Sequence, residues 1–249
     1  MTIAIASVLV FLFTTVLTIA GVGAAFVIIP TFYWLGIPLT QAMAVALLLN
    51  AISMTFASVN YIRYRLVVFK AAVPIIVLAV FFSPLGAYST KYFSKGSLIL
   101  AFGVFLLFAG SMMLFYSPKA KGHAPPSSRR ELGTGIGLGI GAGYLGGLLG
   151  VGGGNFIVPA HVWLGFDSKK AAATAAFIVI FSSLSGFFGH AAIGDLNWRL
   201  LIGSAVGSVA GAVVGSWLMG LKLEAGQVKK VIGIVLYAIA VKMLWSLFQ

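Results

Sequence analysis

The groups best placed to do chemistry in this chain are backbone amides rather than acids or nucleophiles. Gly150-Val151-Gly152-Gly153-Gly154-Asn155, followed by Pro159, lies inside a long apolar stretch. Four glycines in five positions remove helical preference at up to about 1 kcal/mol each, so the run should break a helix and release N–H groups. A short helix restarting near Asn155 would aim its positive end at that break, an arrangement suited to a small oxoanion. Gly21-Val22-Gly23-Ala24-Ala25 repeats the break near the N-terminus. The run lacks the Gly-Lys-Ser/Thr ending of a nucleotide phosphate loop. Its remaining alternative is structural, since glycines also allow close helix packing in membranes.

A second layer of candidates is polar and follows each break. Asn50 is costly to bury and should face protein or water. Ser53 and Ser182 are equivalent positions that either line a pathway or bond their own backbone. His190 stands at a span end, where it either titrates during transport or is a structural residue beside Asp195. Together with Gly21, Gly23, Gly150, Gly152, Gly153, Gly154 and Asn155, these residues form the expected substrate site. His161 and His190 are too isolated to suggest a metal, and no cofactor is expected. There is no cysteine, and Glu131, Asp167, Asp195 and Glu224 all fall in predicted loops. An embedded acidic proton relay is therefore missing, and a cation substrate would find no acidic site.

The elements that must position these residues are membrane helices. The 249 residues are 61% hydrophobic and 8% charged, with no charged side chain before Arg63, far from the roughly one-quarter charged content of soluble domains. Uncharged runs of 20 residues or more recur along the chain, each near the length that crosses a bilayer core. They are continuously apolar rather than alternating, which disfavours a β-barrel. A cleavable signal peptide does not account for the first run, which lacks a basic start and is too long. The net charge of +12 sits in loops, as in membrane topology signals rather than nucleic-acid binding.

Gly21 to Ser53 aligns without gaps on Gly150 to Ser182 at an offset of 129, and the likeness extends over nearly the whole chain. A duplication whose halves both carry a helix break is the pattern of a transporter core. If each break reverses the chain, Arg63, Arg65, Lys70, Lys119, Lys121, Arg129, Arg130, Lys169, Lys170, Lys222, Lys229 and Lys230 share one side. Only Lys91, Lys95, Arg199 and Lys242 then lie opposite, a twelve-to-four bias. Without the reversal the split is nine to seven. The expected fold is thus an all-α polytopic membrane protein of two inverted-topology repeats, each with a glycine/proline-broken first segment. The repeats are residues 1–116 and 132–249, joined by a cytoplasmic linker at 117–131, with both termini periplasmic. Whether the broken segments are full passes or re-entrant hairpins stays open.

In sequence the chain resembles the TauE/SafE sulfite exporter family of small anion permeases. The likeness rests on GVGGGNFIVP at 150–159, WLG at 163–165, AAATAA at 171–176, SSLSG at 182–186, and His190 followed by GDLNWR at 194–199. It implies export of sulfite, organosulfonates or related oxoanions across the bacterial inner membrane. It also places the family's glycine motif on Gly150, Gly152, Gly153 and Gly154, and its span-end histidine on His190. Ala24 and Ala25 replace Gly153 and Gly154 in the first half, which shifts the expected site toward the second break. The expected partners are a small anion and the lipid bilayer, with a homodimer left open and nucleic acid excluded. An intramembrane enzyme would need converging nucleophile and base, and a non-transporting scaffold subunit would have no use for broken helices.

Overall fold

A computed structural model of the chain describes residues 2–19, 23–115, 128–192, 198–220, 225–245 and 247. Among these residues the fold is all-helical. The helices are α1 (Thr2–Ile19), α2 (Ala25–Trp34), α3 (Leu39–Arg63), α4 (Phe69–Ser89), α5 (Lys95–Phe115), α6 (Ser128–Leu148), α7 (Gly154–Trp163), α8 (Ser168–Ala191), α9 (Trp198–Gly220) and α10 (Ala225–Trp245). A short 3-10 turn, Thr90–Tyr92, extends α4. Among the described residues, five segments are long and apolar enough to cross a membrane: Leu39–Arg63, Phe69–Tyr92, Lys95–Met112, Ser168–Ala191 and Trp198–Met219. Large apolar side chains such as Phe81 (68% exposed) and Val206 (73% exposed) point outward, as a lipid-facing surface requires.

The duplication written in the sequence governs the element boundaries. α2, α3 and α4 begin at residues 25, 39 and 69, and α7, α8 and α9 begin 129 residues later, at 154, 168 and 198. One inserted residue then makes α5 and α10 correspond at an offset of 130.

Equivalent helices face one another in opposite senses. On α3 and α8, Asn50 meets Ser183 and Leu47 meets Gly186. On α5 and α10, Gly103 meets Leu244, Gly110 meets Tyr237 and Leu114 meets Gly233. In each pair one residue number rises as the other falls, so the helices are antiparallel. The two helices α3 and α8 are also the most buried of the five candidate spans, and they form the centre of the bundle.

The halves are interleaved rather than side by side. α1 packs along α9, and its counterpart α6 packs along α4. Both seams depend on glycine. A Cβ on Gly86 would strike the Tyr144 carbonyl oxygen, and one on Gly215 would strike that of Thr15. Both the glycines and the carbonyls are related by the same offset of 129. Backbones this close gain dispersion contacts that larger residues would prevent, which is how helices associate where no hydrophobic force separates them from lipid.

The chain reverses at each break. α1 runs parallel to α9, since Ser7, Phe11 and Thr15 meet Gly207, Gly211 and Gly215 in order. α3 also runs with α9, because Leu49 meets Ser208 and Asn60 meets Ser216. α2 starts beside Asn50, midway along α3, and ends at the connector of residues 35–38 that leads into the start of α3. It therefore travels back against α1 and covers about half the length of α3. α7 does the same along α8. It starts beside Ser182 and Ser183 and returns to the start of that helix.

Candidate functional site

The second break is built by two consecutive left-handed turns. α6 ends at Leu148, and Gly150 follows at φ +72°. The amide of Gly150 bonds Gly147 O at 3.1 Å and that of Val151 bonds Gly146 O at 2.8 Å, a Schellman closure in which a residue with a side chain would be strained. Gly152 (φ +75°) and Gly153 (φ +82°) then turn the chain into α7. Gly152 also gives its amide to Gly146 O, at 3.2 Å. The glycines therefore do not all release donors, as the sequence had suggested: the amides of Gly150, Val151 and Gly152 are consumed in ending α6. Those without a protein acceptor among the described residues belong to Gly153, Gly154 and Asn155, at the N-terminus of α7.

The first break shows why alanine suffices there. Gly23 turns at φ +77°, but Ala24 sits at φ −100°, where its counterpart Gly153 is left-handed. Ala24 has no need of glycine, and its amide is satisfied by Asn50 Oδ1 of α3 at 3.2 Å. Gly21 lies outside the described residues.

Asn50 connects the two breaks. Its Nδ2 donates to Ser183 Oγ of α8 at 3.0 Å, and a Cβ on Gly152 would collide with that hydroxyl and approach Asn50 Nδ2 to 3.1 Å. Ser182 Oγ donates to the Gly152 carbonyl at 2.7 Å. Gly23, Asn50, Gly152, Ser182 and Ser183 thus come together at the crossing of α3 and α8. Asn50 is 1% exposed, Ser182 1% and Ser183 0%, so each polar atom here must find a protein partner or a ligand.

The two breaks differ in one consequential respect. The position equivalent to Asn50 is Val179, so nothing in α8 caps the Gly153 amide as Asn50 caps Ala24. Asn155, one residue into α7, is 5% exposed, and neither its Oδ1 nor its Nδ2 has a partner. An orphan buried amide costs about 1–3 kcal/mol, and here it stands on the first turn of an uncapped helix. Both helix starts leave amides open, those of Ala25 and Phe26 at α2 and of Gly154 and Asn155 at α7, but only the α7 end adds the uncapped Gly153 amide and the orphan Asn155 side chain.

Other expected residues lie elsewhere. Ser53 is equivalent to Ser182 in sequence but donates to Asn50 O in its own helix at 3.1 Å, and it reaches neither break. His190 Nε2 donates to Gly147 O at 2.8 Å, on the last turn of α6 before the break, and its Nδ1 is buried without a partner. Gly150 packs against Met43 of α3. Sequence reasoning gave Ser183 no special weight, because its counterpart Met54 is apolar and the repeat carries no signal there. Among the described residues no group of three His, Cys, Asp or Glu side chains could hold a metal ion.

Known proteins resemble the chain along nearly its whole length. The chain matches the family described as sulfite exporter TauE/SafE over residues 6–243. It is 28% identical over 258 residues to the probable membrane transporter protein YunE of Bacillus subtilis, covering 93% of each chain. It is 27% identical to the probable membrane transporter protein ORF9 of Sinorhizobium sp, covering 91% of this chain and 86% of that one. It is also 32% identical over 108 residues to the probable membrane transporter protein MJ0441 of Methanocaldococcus jannaschii, covering 41% of this chain and 40% of that one. No solved structure matches significantly. The chain belongs to the sulfite exporter TauE/SafE family.

Proposed function

We propose that this member of the sulfite exporter TauE/SafE family is a secondary transporter that exports a small sulfur-containing oxoanion, such as sulfite or an organosulfonate. The observation that carries the reading is the uncapped N-terminus of α7. The amides of Gly153, Gly154 and Asn155 and the orphan Asn155 side chain point to a missing acceptor, and a helix N-terminus favours a negative one. The anion sits near the midplane against these donors, bordered by Gly150, Gly152 and Ser182, with Asn50 holding the opposite break in place.

The antiparallel pairing of α3 with α8 and of α5 with α10 supports an inverted repeat, the architecture in which two halves rock about a central site. In this reading the segment expected as a linker at 117–131, of which 128–131 already belong to α6 and the rest lies outside the described residues, joins the halves in the cytoplasm, and both termini face the periplasm of a bacterial inner membrane. For a cell negative inside, the potential favours anion exit by about 2.3 kcal/mol per charge per 100 mV. Transport rather than catalysis is the role, since two broken helices meeting between the halves suit alternating access.

The test is efflux from proteoliposomes loaded with sulfite, sulfate or a short alkylsulfonate. Protein-dependent efflux of at least one of them, accelerated by a potential that expels anions, is the expected result. Background rates for all three would overturn the proposal.

A further inference from the structure

The first turn of α7 carries more than a plain anion uses. Asn155, 5% exposed, has neither a donor for its Oδ1 nor an acceptor for its Nδ2 among the described residues. Turning the amide over leaves the same pair open, so both a donor and an acceptor wait for a partner whichever way it is set. Side chains lean toward the N-terminus of their helix, and Asn155 is the second residue of α7. Its amide therefore leans toward the open N–H groups of Gly153 and Gly154. An anion that only accepts hydrogen bonds satisfies Nδ2 and those backbone donors, yet leaves the buried Oδ1 unpaired.

Charge narrows the ligand further. Residues 1–62, 132–166 and 171–194, which supply both breaks and most of the helices around them, contain no Asp, Glu, Lys or Arg. An anion at α7 thus meets neutral dipoles only, among them a helix end equivalent to about half a positive charge. The cost of desolvating an ion grows with the square of its charge, whereas its attraction to fixed dipoles grows only in proportion. Doubling the charge therefore raises the cost more than the gain.

We infer that the anion held at α7 is singly charged and keeps one proton, as hydrogensulfite does, an inference that rests on the sulfur oxoanion reading proposed above. Its O–H donates to Asn155 Oδ1, and its other oxygens accept from Asn155 Nδ2 and from the amides of Gly153, Gly154 and Asn155. The proton leaves the cell on the substrate itself. The uncharged runs accordingly need no acidic relay of their own.

The protein has little else here to titrate. Within the helices α3 to α8 the uncharged titratable side chains are Tyr61, Tyr88, Tyr144, His161 and His190. Tyr61 donates to Thr18 O, Tyr144 to Ser89 Oγ and His190 to Gly147 O, while Tyr88 faces Lys91 and His161 stacks on Phe166 at 4.9 Å. The charged residues of these helices all stand in first or last turns.

Calorimetry on the purified wild-type chain tests the inference. Sulfite, sulfate and methanesulfonate are titrated at pH values on both sides of the hydrogensulfite ionisation, in buffers of different ionisation enthalpy. Above that ionisation the apparent sulfite affinity should fall about tenfold per pH unit, and binding should draw about one proton from the buffer. Methanesulfonate keeps a single charge and has no proton to give, so it should bind more weakly, with a flat pH profile and no proton uptake. Titration of His161, His190 or any other protein group would show equally in that arm. Asn155→Leu removes a buried amide that has no partner, so the fold should be retained, and it should weaken sulfite about tenfold while affecting methanesulfonate less. Sulfite binding that is absent, flat with pH, free of proton uptake or matched by sulfate would overturn the inference, as would a methanesulfonate profile that follows that of sulfite. Proton-linked sulfite binding without efflux from proteoliposomes would sink the exporter reading alone, and efflux with pH-independent binding would sink the protonated anion alone.

Discussion

Tyr61 and His190 occupy the same position in the two repeats and make the same contact with different chemistry. The Tyr61 hydroxyl donates to Thr18 O at 2.8 Å, and His190 Nε2 donates to Gly147 O at 2.8 Å. Thr18 and Gly147 are also 129 residues apart. Each donor, on the third helix of its repeat, ties down the closing turn of the first helix just before the break. A histidine read from sequence as a candidate for titration is, in its bonding, the counterpart of a tyrosine.

That tie predicts a stability effect. Tyr61→Phe removes the donor without changing volume and leaves the Thr18 carbonyl without its side-chain partner, a cost of about 1 kcal/mol. A fall of about 2–4 °C in thermal midpoint is expected for a chain of this size, with efflux retained. An unchanged midpoint would show that the contact contributes nothing.

Asn50→Asp separates binding from folding. The carboxylate can still accept the Ala24 amide, so the protein should express and fold. It also places a negative charge between the two breaks, where it competes with an anionic substrate. Efflux should fall to background, and efflux at the wild-type rate would contradict a central anion site.

Val179→Asn supplies the second break with the cap that Asn50 gives the first. If it reaches the Gly153 amide it removes one donor, worth about 1 kcal/mol, and should weaken substrate about fivefold with little loss of stability. Unaltered affinity in a folded variant would indicate that the α7 amides do not bind the substrate.

Gly152→Ala and Ser183→Ala should couple. The added methyl collides with the Ser183 hydroxyl at a left-handed backbone position, so the first change costs about 1–2 kcal/mol in conformation before the clash is counted. Removing the hydroxyl relieves part of the collision. A double-mutant cycle should show the pair less destabilised than the sum, by about 1 kcal/mol. Simple additivity would mean that the two residues do not touch.

Gly86→Ala and Gly215→Ala test the interleaving of the halves. Each methyl meets a backbone carbonyl that cannot move without separating α4 from α6 or α9 from α1. Loss of folded protein is expected in both. Gly137→Ala, exposed in α6 with nothing near its Cβ, should be neutral or stabilising by up to about 1 kcal/mol. Equal behaviour of all three in a thermal-melt series would refute the close-packing account.

The sequence by itself determined the helical class, the duplication and the places where helices break. These follow from local physics: apolar length, glycine's lack of a Cβ and a constant offset are all readable along one dimension. The choice of Ala24 against Gly153 was visible as a mismatch, but its reason, a backbone at φ −100° against one at φ +82°, was not. The amides of Gly150, Val151 and Gly152 are consumed locally, by carbonyls of Gly146 and Gly147 at the end of α6. Tertiary structure alone decided that Ala24 is capped and Gly153 is not, because the acceptor of Ala24 lies on α3. It likewise separated Ser53 from Ser182, identical residues at equivalent places. A hydroxyl bonds whatever carbonyl lies within about 3 Å, and that neighbour is set by the packing of two helices rather than by the repeat that encodes them.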